Sequence, residues 1–509
     1  MLTSVLATAV YGADITADDA CSLADAITAA NRDEAVDGCV AGAGADVITL
    51  SEDVTLEAEL PRITSEITVE GGGYAISGAE AYRIFYVEAS GTLTVERLTL
   101  REGRAGIEIS PGHWDDDGGA VYNEGELSIK KSIFVDNAAA WGGAIANRSR
   151  LRVMESTFVN CSGFAGGGAI FSFDGSKLNV NASQFTSNSG ALGGAIGILK
   201  GETFFLGGSS FTDNAASWGG AISSQGTLVI DDSTFARNLA ESGGAIVSSG
   251  ELSVFDTKFS GNYAIRAGAI ANSGDLKVNR SKFTSNIAGA GGSQVAYGKS
   301  TESNRGYHPY VTGWGGAIRN DEDGEVTIGE SSFTDNAAGF GGAVFSIGAL
   351  SVTSTSFSGN GADKSGGGLF LPNHGQGAID ATLSHLTLAA NSADEGGGIH
   401  TYSSPEANVR LYNSILADNA GGDCVGRLTH SASNLIADGS CDAEISGDPM
   451  LGELVRPEDG SPAYYPLQPG SPAIDAASSD HCPETDQIGT PRPQGEACDI
   501  GAIEFVPEQ

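Results

Sequence analysis

The stretch SFTDNAASWGGAI, Ser210–Ile222, returns 122 residues later (332 − 210) as SFTDNAAGFGGAV, Ser332–Val344. Ten of the thirteen positions are identical. The Gly-Gly-Ala triplet near the end of this stretch recurs along the chain, almost always at a spacing of 24 to 26 residues. Self-similarity at a fixed period of this size is the sequence signature of a repeat architecture. The triplets start at Gly118, Gly142, Gly167, Gly193, Gly219, Gly243, Gly315 and Gly341, with degenerate copies at Ala267, Gly291, Gly367 and Gly397.

A second signal, Phe-x-x-Asn, stands at a fixed place in the repeat and follows a Leu-x-Val pattern, as in LSIKKSIF and LVIDDSTF. Apolar and polar residues alternate with a period of two, which predicts short β-strands and not helices. We expect three strands per repeat, around GGAI, Leu-x-Val and Ser-x-Phe, joined by turns rich in Gly, Asn, Asp and Ser. The pairs are Phe134/Asn137, Phe185/Asn188, Phe211/Asn214, Phe235/Asn238, Phe259/Asn262, Phe283/Asn286, Phe333/Asn336 and Phe357/Asn360.

Units of three short strands stack best as an all-β parallel β-helix, in which each coil pairs with the next at about 4.8 Å. Equivalent side chains then lie over one another, so we expect an internal stack of Phe rings and a hydrogen-bonded ladder of Asn amides. Cys161, in the sequence FVNC, stands where the neighbouring repeats have the ladder Asn, which favours a buried structural thiol. Counting irregular early repeats, we expect about fourteen coils, wound right-handed as parallel crossovers generally are.

The charge composition argues against several classes of ligand. The chain has 64 acidic and 27 basic residues, for a net charge of −37. Such a surface repels phosphate backbones and anionic lipids, which argues against nucleic-acid binding. It also disfavours polyuronate substrates unless a basic cleft or bound Ca²⁺ compensates. No membrane-spanning segment is predicted.

The cysteines indicate an exported protein. Six of the seven form neighbouring pairs near the two ends of the chain, and local disulfides between them would imply an oxidising compartment. The opening MLTSVLATAVYGA has a short apolar run without a basic start, so we expect a signal peptide to be absent or trimmed. The pairs are Cys21 with Cys39, Cys424 with Cys441, and Cys482 with Cys498.

The repeated GGAI and Phe-x-x-Asn motifs resemble the repeats of the polymorphic outer-membrane proteins, which are β-helical surface adhesins. CSLADAITAAN, Cys21–Asn31, followed by GADVITL, resembles the CSLREA-type N-terminal cap of exported bacterial β-helix proteins. NLIADGSC, GSPAIDAA and the last cysteine-containing stretch are similar to the choice-of-anchor Q region that closes such proteins. These resemblances imply an extracellular or outer cell-surface location and a right-handed β-helix.

Three regions are expected from these patterns. Residues 1–65 form an N-terminal cap and first coil, in which SLADAITAAN has the spacing of a short amphipathic capping helix with Ser22 at its N-cap. Residues 66–419 form the repeat array, and residues 420–509, where the repeat fades, form a disulfide-stapled capping region that closes or braces the other end. Residues 293–314 are either a loop thrown out of the solenoid or one degenerate coil.

Aromatic residues are the candidate ligand-binding groups. Trp141, Trp218 and Trp314 each directly precede Gly-Gly, which places them on one edge of the solenoid. The segment 293–314 adds further aromatic residues on a loop, and loops on rigid scaffolds commonly carry function. Aromatic faces beside a few polar groups suit carbohydrate stacking or protein recognition, although such a loop equally well packs its own aromatic residues. The candidates in this segment besides Trp314 are Tyr297, Tyr307, His308 and Tyr310.

Acidic clusters are the candidate metal or catalytic groups. The run Asp115, Asp116 and Asp117 is a potential Ca²⁺ site. Other acidic residues, such as Asp213 and Asp335, precede ladder asparagines, and we find none with an Arg or Lys in register in the adjacent coil. The sequence therefore predicts no catalytic residue, and no cofactor unless this run binds Ca²⁺.

These patterns predict an extracellular or cell-surface β-helix protein that acts in adhesion, surface binding or surface structure, with a surface glycan or a protein receptor as partner. The alternative is a carbohydrate-active enzyme, a polysaccharide lyase or glycoside hydrolase, on the same scaffold. Clustered carboxylates with a basic residue in one groove would favour the enzyme.

Overall fold

The computed structural model describes residues 12–105, 116–201, 203–289, 313–372, 379–402 and 407–507. The chain divides into two compact units, Met1–Phe205 (unit 1) and Leu206–Gln509 (unit 2). In each unit the strands pair in parallel between successive coils, so the predicted all-β parallel solenoid is confirmed. Complete coils, counted by their GGAI-type strand in the described residues, number five in unit 1 and eight in unit 2, close to the predicted fourteen. Handedness stays a prediction.

A coil contains four short strands that belong to three sheets. In one coil of unit 2, Glu251–Phe255 carries Leu-x-Val and Lys258–Ser260 carries the Phe, and both belong to the first sheet. Tyr263–Arg266 lies in the second sheet and Ile270–Asn272, the GGAI-type strand, lies in the third. The strand of the second sheet was not predicted, because it buries only a small residue such as Ala264 and shows no apolar alternation.

The elements of unit 1 begin with the helix Leu23–Arg32. The first sheet contains Asp14–Ala17, Ala45–Leu50, Val54–Thr55, Glu66–Glu70, Ala75–Ser77, Thr92–Glu96, Thr99–Arg101, Glu126–Lys130, Ile133–Val135, Arg150–Met154, Thr157–Val159, Lys177–Asn181 and Gln184–Thr186. The second contains Ala138–Trp141, Ser162–Gly166 and Ser189–Leu192. The third contains Phe85–Val87, Val121–Asn123, Ile145–Asn147, Ile170–Ser172 and Ile196–Ile198. The boundary between the units falls within the strand Phe204–Gly207.

Unit 2 repeats the same three sheets. The first contains Ser210–Thr212, Leu228–Asp231, Thr234–Ala236, Glu251–Phe255, Lys258–Ser260, Asp275–Asn279, Lys282–Thr284, Glu325–Gly329, Ser332–Thr334, Ala349–Ser358, Asp380–Ala389, Asn408–Tyr412, Ile415–Ala417, His430–Ala432 and Leu435–Ile436. The second contains Ala215–Trp218, Leu239–Ser242, Tyr263–Arg266, Ile287–Ala288, Ala337–Phe340 and Gly361–Ser365. The third contains Ile222–Ser224, Ile246–Ser248, Ile270–Asn272, Ile318–Asn320, Val344–Ser346, Leu369–Leu371, Ile399–Thr401 and Cys424–Val425, and a 3₁₀ turn covers Ser479–His481.

The Phe residues of the repeat form a stack of nearly parallel rings inside each unit. In unit 1, Phe134, Phe158 and Phe185 stack with centroids 4.6 and 4.8 Å apart. In unit 2 the centroid distances are 4.7 to 5.0 Å, and Phe283 stacks directly on Phe333 at 4.7 Å. The segment 293–314, predicted as a loop or one degenerate coil, lies almost wholly outside the described residues, and the choice between the two stays a prediction. The six rings in unit 2 are Phe211, Phe235, Phe259, Phe283, Phe333 and Phe357.

The Asn residues form the predicted ladder in unit 2. The side-chain amide of Asn238 donates to Asn262 Oδ1 at 2.9 Å and to the carbonyl oxygen of Phe211 at 3.0 Å. A buried amide with both partners present contributes net stability, whereas an unpaired one costs about 1–3 kcal/mol. The predicted ladder residues of this unit are all fully buried: Asn214, Asn238, Asn262, Asn286, Asn336 and Asn360.

The same pair of bonds continues past the segment 293–314. Asn286 donates to Asn336 Oδ1 at 2.9 Å, and Asn336 donates to Asn360 Oδ1 at the same distance. These residues are 50 and 24 positions apart in sequence, so the ladder joins the coils on either side of the segment directly. Beyond the predicted residues, Asn360 donates to Asn391 and Asn391 donates to Asn419, each at 2.9 Å.

The ladder of unit 1 differs from the prediction because an Asn is missing from it. The side-chain amide of Asn137 donates to the carbonyl oxygen of Leu100 at 2.9 Å, and its Oδ1 accepts from Gly103 N at 2.9 Å. The next coil has Cys161 at this position, so the expected amide-to-amide bond from one ladder Asn to the next is interrupted there. Asn137 is nevertheless fully buried, and its amide is satisfied by backbone groups of the preceding coil.

Cys161 takes the ladder position between Asn137 and Asn188. Its backbone N–H donates to Asn188 Oδ1 at 3.0 Å, as an Asn at this position would do. The thiol is fully buried, 3.7 Å from the carbonyl oxygen of Phe134, and burial raises its pKa to about 12. The thiol forms no disulfide, so the prediction of a buried structural thiol is consistent with its surroundings.

The Gly-Gly pair makes the sharp corner before the third sheet. Gly243, the first of one pair, has φ +62°, a left-handed conformation that costs glycine nothing. Gly244, the second, lies so close to the next coil that a Cβ atom would be 2.1 Å from the carbonyl oxygen of Gly268. Both glycines are therefore required, one by its conformation and one by contact.

The N-terminal helix is the predicted capping helix. Ser22 Oγ accepts a hydrogen bond from Asp25 N at 3.2 Å, and Leu23, Ala26 and Ile27 are buried on the face predicted from the sequence. A disulfide between Cys21 and Cys39 fixes the segment that enters the helix.

The C-terminal segment of unit 2 runs back along the flank of its own solenoid. Ala463 N donates to Ser332 Oγ at 3.0 Å, Tyr465 Oη contacts Ser358 Oγ at 2.7 Å, and Ala502 N donates to Thr387 Oγ1 at 3.0 Å. These hydroxyls belong to Phe-bearing strands and their equivalents in successive coils. The segment therefore braces the outer face of the first sheet.

Two kinds of link hold this segment in shape. The disulfides Cys424–Cys441 and Cys482–Cys498 close loops of 17 and 16 residues. Arg492 pairs with Glu504 at 2.9 Å, with both side chains fully buried, and also donates to the carbonyl oxygens of Asp499 and Gly501. Within the described ranges, the one α-helix is too short to cross a membrane.

Gly244→Ala should lower the free energy of unfolding by at least about 2 kcal/mol, because the added methyl group collides with backbone of the next coil. Gly361→Ala is the matched control, since a Cβ atom there meets only Ser392 Oγ at 3.6 Å. Chemical denaturation followed by circular dichroism measures both. Equal midpoints for the two variants would contradict the close approach of the coils.

His385 should make stability depend on acid pH. It is fully buried at a left-handed corner, φ 50°, and neither ring nitrogen has a hydrogen-bond partner among the described residues. Burial, with the positive charges of Arg492 and His481 nearby, lowers its pKa to about 3. The unfolded chain therefore binds a proton that the folded chain does not, and stability should fall as pH drops from about 6.5 towards 3, by up to about 1.4 kcal/mol per pH unit.

His385→Asn should remove this contribution to the pH dependence of stability, because Asn does not titrate. Asn also fits the position, since Asn413 occupies the equivalent corner of the next coil. The measurement is the free energy of unfolding against pH for both proteins. Parallel curves between pH 6.5 and 3 would show that His385 is not the group responsible.

Candidate functional site

The third sheet presents a column of outward side chains, one from the middle of each strand. In unit 1 this column contains Tyr86, Tyr122, Ala146 and Phe171, paired in register. The flanking residues of each strand point to the core, because side chains alternate across a strand. Tyr86 and Tyr122 lie with ring centroids 4.9 Å apart. Tyr86 is half-buried, whereas Tyr122 and Phe171 are buried, so the column is an aromatic row that neighbouring side chains largely cover.

Arginine side chains lie over these rings. Arg62 is 4.2 Å from the centroid of Tyr86, and Arg148 is 3.7 Å from that of Phe173. These are cation–π distances, which attract by about 0.5–2 kcal/mol according to exposure. Such a concentration of cations is unexpected on a chain with net charge −37. Arg83 lies 5.3 Å from the centroid of Tyr122. We name this group the arginine–aromatic cluster: Arg62, Arg83, Tyr86, Tyr122, Arg148 and Phe173.

Carboxylates balance the charge of the cluster. Glu88 pairs with Arg62 at 3.2 Å. Asp117 accepts from Arg148 at 3.3 Å, and Glu124 accepts from Tyr86 Oη at 2.9 Å. Three arginines and three carboxylates thus lie together, so the cluster carries no net charge.

Burial raises the pKa values of two groups in the cluster. It raises the pKa of Asp117 to about 6, more than the neighbouring Arg148 lowers it. Burial and the hydrogen bond to Glu124 raise the pKa of Tyr86 to about 12. Asp117 can therefore hold a proton at mildly acidic pH, which is a requirement for a general acid.

Unit 2 carries a second row of aromatic side chains on the same positions. Phe345, Phe370 and His400 are in register in the middle of three successive strands of its third sheet. Phe370 lies 5.8 Å from Phe345 and 5.3 Å from His400, and Tyr402 stacks on His400 at 5.5 Å. Trp314 joins the other end, 6.3 Å from Phe345. We name Trp314, Phe345, Phe370, His400 and Tyr402 the aromatic column.

The ends of the aromatic column differ in exposure. Tyr402 is 54% exposed, whereas Phe370 and His400 are buried. Burial lowers the pKa of His400, more than the nearby Glu395 raises it, so its ring is neutral at pH 7. At the other end, Arg319 lies 5.2 Å from the Trp314 ring and pairs with Asp321 at 2.6 Å. The column offers one open ring supported from behind by fixed neutral rings.

The predicted Trp residues have different environments. Trp141 packs on Phe171 at 4.5 Å and is half-buried. Trp218 is 47% exposed and pairs in register with Ser242, which pairs with Arg266. Trp314 bridges to Phe340. Tyr297, Tyr307, His308 and Tyr310 lie outside the described residues.

The predicted calcium run is incompletely described. Asp115 lies outside the described residues, and Asp117 points to Arg148, whose positive charge occupies the place of a cation. Across the described ranges, no group of three His, Cys, Asp or Glu side chains is placed to hold a metal ion. Calcium binding by Asp115, Asp116 and Asp117 stays a prediction.

The expectation that no acidic residue faces a basic residue of an adjacent coil was wrong. Arg237 binds Asp213 with two bonds of 2.8 Å, one coil apart. Arg280 binds Asp256 in the same way, at 2.9 and 2.7 Å. All four lie at left-handed corners on the surface. Exposed pairs of this kind contribute about 0–1 kcal/mol and tie adjacent corners together.

Sequence reasoning missed both aromatic surfaces, although a signal was present. The outward residue directly follows the Gly-Gly-Ala-Ile motif, so an alignment of the repeats on that motif places Tyr122, Phe171, Phe345 and Phe370 at one position. The arginines had no such signal, because Arg62 and Arg148 come from turns of different coils.

The comparison with known families agrees with the repeat. Residues 208–225 and 354–372 match the family model described as the Chlamydia polymorphic membrane protein (Chlamydia_PMP) repeat. Both segments hold a Phe-x-x-Asn motif of the ladder. The chain is thus a β-solenoid with segments similar to this repeat. No curated protein and no solved structure matches it, and the similarities to the CSLREA-type cap and the choice-of-anchor Q region stay predictions.

Arg148→Met should destabilise unit 1 by about 2 kcal/mol, because it leaves the Asp117 carboxylate buried without its partner. Adding Asp117→Asn should restore at least half of the loss, which a double-mutant cycle measures by urea denaturation. Arg150→Met is the control, since its pair with Glu126 is exposed (59% and 58%) and should cost under about 0.5 kcal/mol. Additive effects of the two substitutions would contradict the coupling.

Proposed function

We propose that this protein is exported and acts at a cell surface, where the aromatic column of unit 2 binds a neutral glycan. Tyr402 is the contact residue. The observation that carries the proposal is its ring, half exposed at the end of a row of packed aromatic side chains. An exposed aromatic face needs such support to be held ready for a ligand without loss of side-chain entropy on binding.

The chemistry of the column favours a sugar. The apolar C–H face of a pyranose stacks on an aromatic ring, while hydroxyl groups bond to nearby polar atoms. Glu395, near His400 at 3.9 Å, supplies an acceptor beside the column. The strongly acidic chain disfavours anionic glycans, so a neutral glycan is the better partner.

Export is supported by three disulfides and by the similarity to polymorphic membrane protein repeats. The acidic surface keeps a long, repetitive β-protein soluble and opposes association between copies. We therefore place the glycan-binding surface outside the cell, on a scaffold built to display side chains in fixed rows.

A carbohydrate-active enzyme is the second candidate. The observation that favours it is the pKa of Asp117, which burial raises to about 6. Asp117 lies beside Tyr122 and Arg148 in the arginine–aromatic cluster. Hydrolysis also needs a second carboxylate within reach of the same glycosidic bond. The candidate is Glu124, which accepts from Tyr86 Oη in the same cluster. In this hypothesis Asp117 protonates the leaving oxygen.

A glycan array probed with the full chain should give hits that Tyr402→Ala weakens by about tenfold or more, because one stacking ring is lost. Tyr74→Ala is the matched control, since Tyr74 is 40% exposed and belongs to neither aromatic surface. Arrays run with Ca²⁺ and with EDTA test the acidic run at Asp115–Asp117.

Hits should then be incubated with the protein and assayed for new reducing ends and for unsaturated products. Release of either one, abolished by Asp117→Asn, would replace the binding proposal by the enzymatic one. Equal loss of binding in the two tyrosine variants, or none in either, would contradict a glycan site at the aromatic column.

A further inference from the structure

We propose that a pocket in unit 2 binds a single neutral pyranose residue. The pocket lies between the first sheet and the C-terminal segment and is separate from the aromatic column. The pocket has a volume of about 410 Å³. This is within the range of small-molecule sites, which are about 300–1,000 Å³. It shares no lining residue with the aromatic column.

The floor of the pocket arises from a gap in a column of side chains. Phe255, Asn279, Gly329 and Thr353 are in register in four successive coils at the end of the Leu-x-Val strands. Glycine at the third position leaves open the space between Asn279 and Thr353. A Cβ atom added to Gly329 would come no closer than 3.6 Å to any neighbour, the nearest being Asn279 Nδ2, so nothing in the backbone requires glycine there.

The wall of the pocket is Pro483, Glu484 and Thr485 of the C-terminal segment. This wall is fixed in place. The preceding Cys482 is bonded to Cys498, Glu484 O accepts from Arg492 N at 3.0 Å, and Thr485 bridges to Pro491. Since Arg492 is itself held by the buried Glu504, the pocket is preformed and loses little entropy when it is filled.

Two polar atoms in the lining lack partners. Ser354 is only 2% exposed, and its Oγ has no hydrogen bond within the described part of the chain. Asn279 Oδ1 is buried and likewise unpaired among the described residues. A buried polar atom without a partner costs about 1–3 kcal/mol, and such atoms are uncommon in folded proteins. Rotation of these two side chains towards the pocket would let a ligand with hydroxyl donors supply the missing bonds.

The remaining lining defines the class of ligand. Phe255, half-buried, gives an aromatic face for the apolar side of a sugar ring, and Thr327 adds another hydroxyl group. Two carboxylates, Glu330 and Glu484, outnumber the one ammonium of Lys277, so uronic and sialic acids are disfavoured. A neutral pyranose, with donors all round its ring, fits this set of acceptors.

The test is saturation-transfer NMR of the full chain with methyl glycosides of glucose, galactose, mannose and N-acetylglucosamine, and with methyl glucuronide as the charged comparison. At least one neutral glycoside should bind and the glucuronide should not. In the Tyr402→Ala background, which removes the contact residue of the aromatic column, Gly329→Val should abolish the remaining binding by filling the floor. Ser354→Ala should weaken it by about three- to tenfold, the loss of one hydrogen bond.

Gly361→Val is the control, because it adds the same side chain to another strand glycine of unit 2 with open space. Circular dichroism melts confirm that the variants remain folded. Absence of binding by every neutral glycoside up to about 10 mM, or binding unchanged by Gly329→Val, would overturn the proposal. Tyr402→Ala should leave the Gly329-dependent part of these signals unchanged, which separates this pocket from the aromatic column.

Discussion

The structure depends on the hydrogen bonds that each ladder amide makes to the coils beside it. In unit 2 every Asn of the ladder from Asn214 to Asn391 donates its side-chain N–H to the Oδ1 of the next Asn, at 2.9 to 3.0 Å. A slip of one residue would move every inward side chain to the outer face. The ladder prevents this slip, because a displaced amide would be buried without partners.

Because the register is fixed, outward residues of successive coils are brought together in rows. Most inward positions hold Phe, Leu, Ile or Asn, with exceptions such as Cys161, whereas the outward positions differ widely from coil to coil. Tyr86 and Tyr122 meet for this reason, and so do Phe370 and His400. The pocket at Gly329 arises in the same way, from one small residue in a row of larger ones.

The solenoid, its ladder residues and its capping helix could be predicted from sequence because they depend on period and alternation alone. The ion pair between Arg237 and Asp213 could also have been predicted, since the two residues are one repeat apart. Other features depend on the path of segments that lack the repeat. The contacts of Tyr465 and Gln487 with Ser358 and Ser356 require the path of the C-terminal segment, which has no periodicity.

The buried thiol of Cys161 has a consequence for how the protein matures. Burial encloses the thiol and raises its pKa, so folding keeps it in the protonated form that does not attack disulfides. Before folding the same thiol is a competent nucleophile. The three cystines join residues only 16 to 18 positions apart, and such short loops close more readily than any loop to Cys161. Before folding, the short sequence separation of the paired cysteines thus favours the observed disulfides. After folding, the burial of Cys161 protects them from exchange.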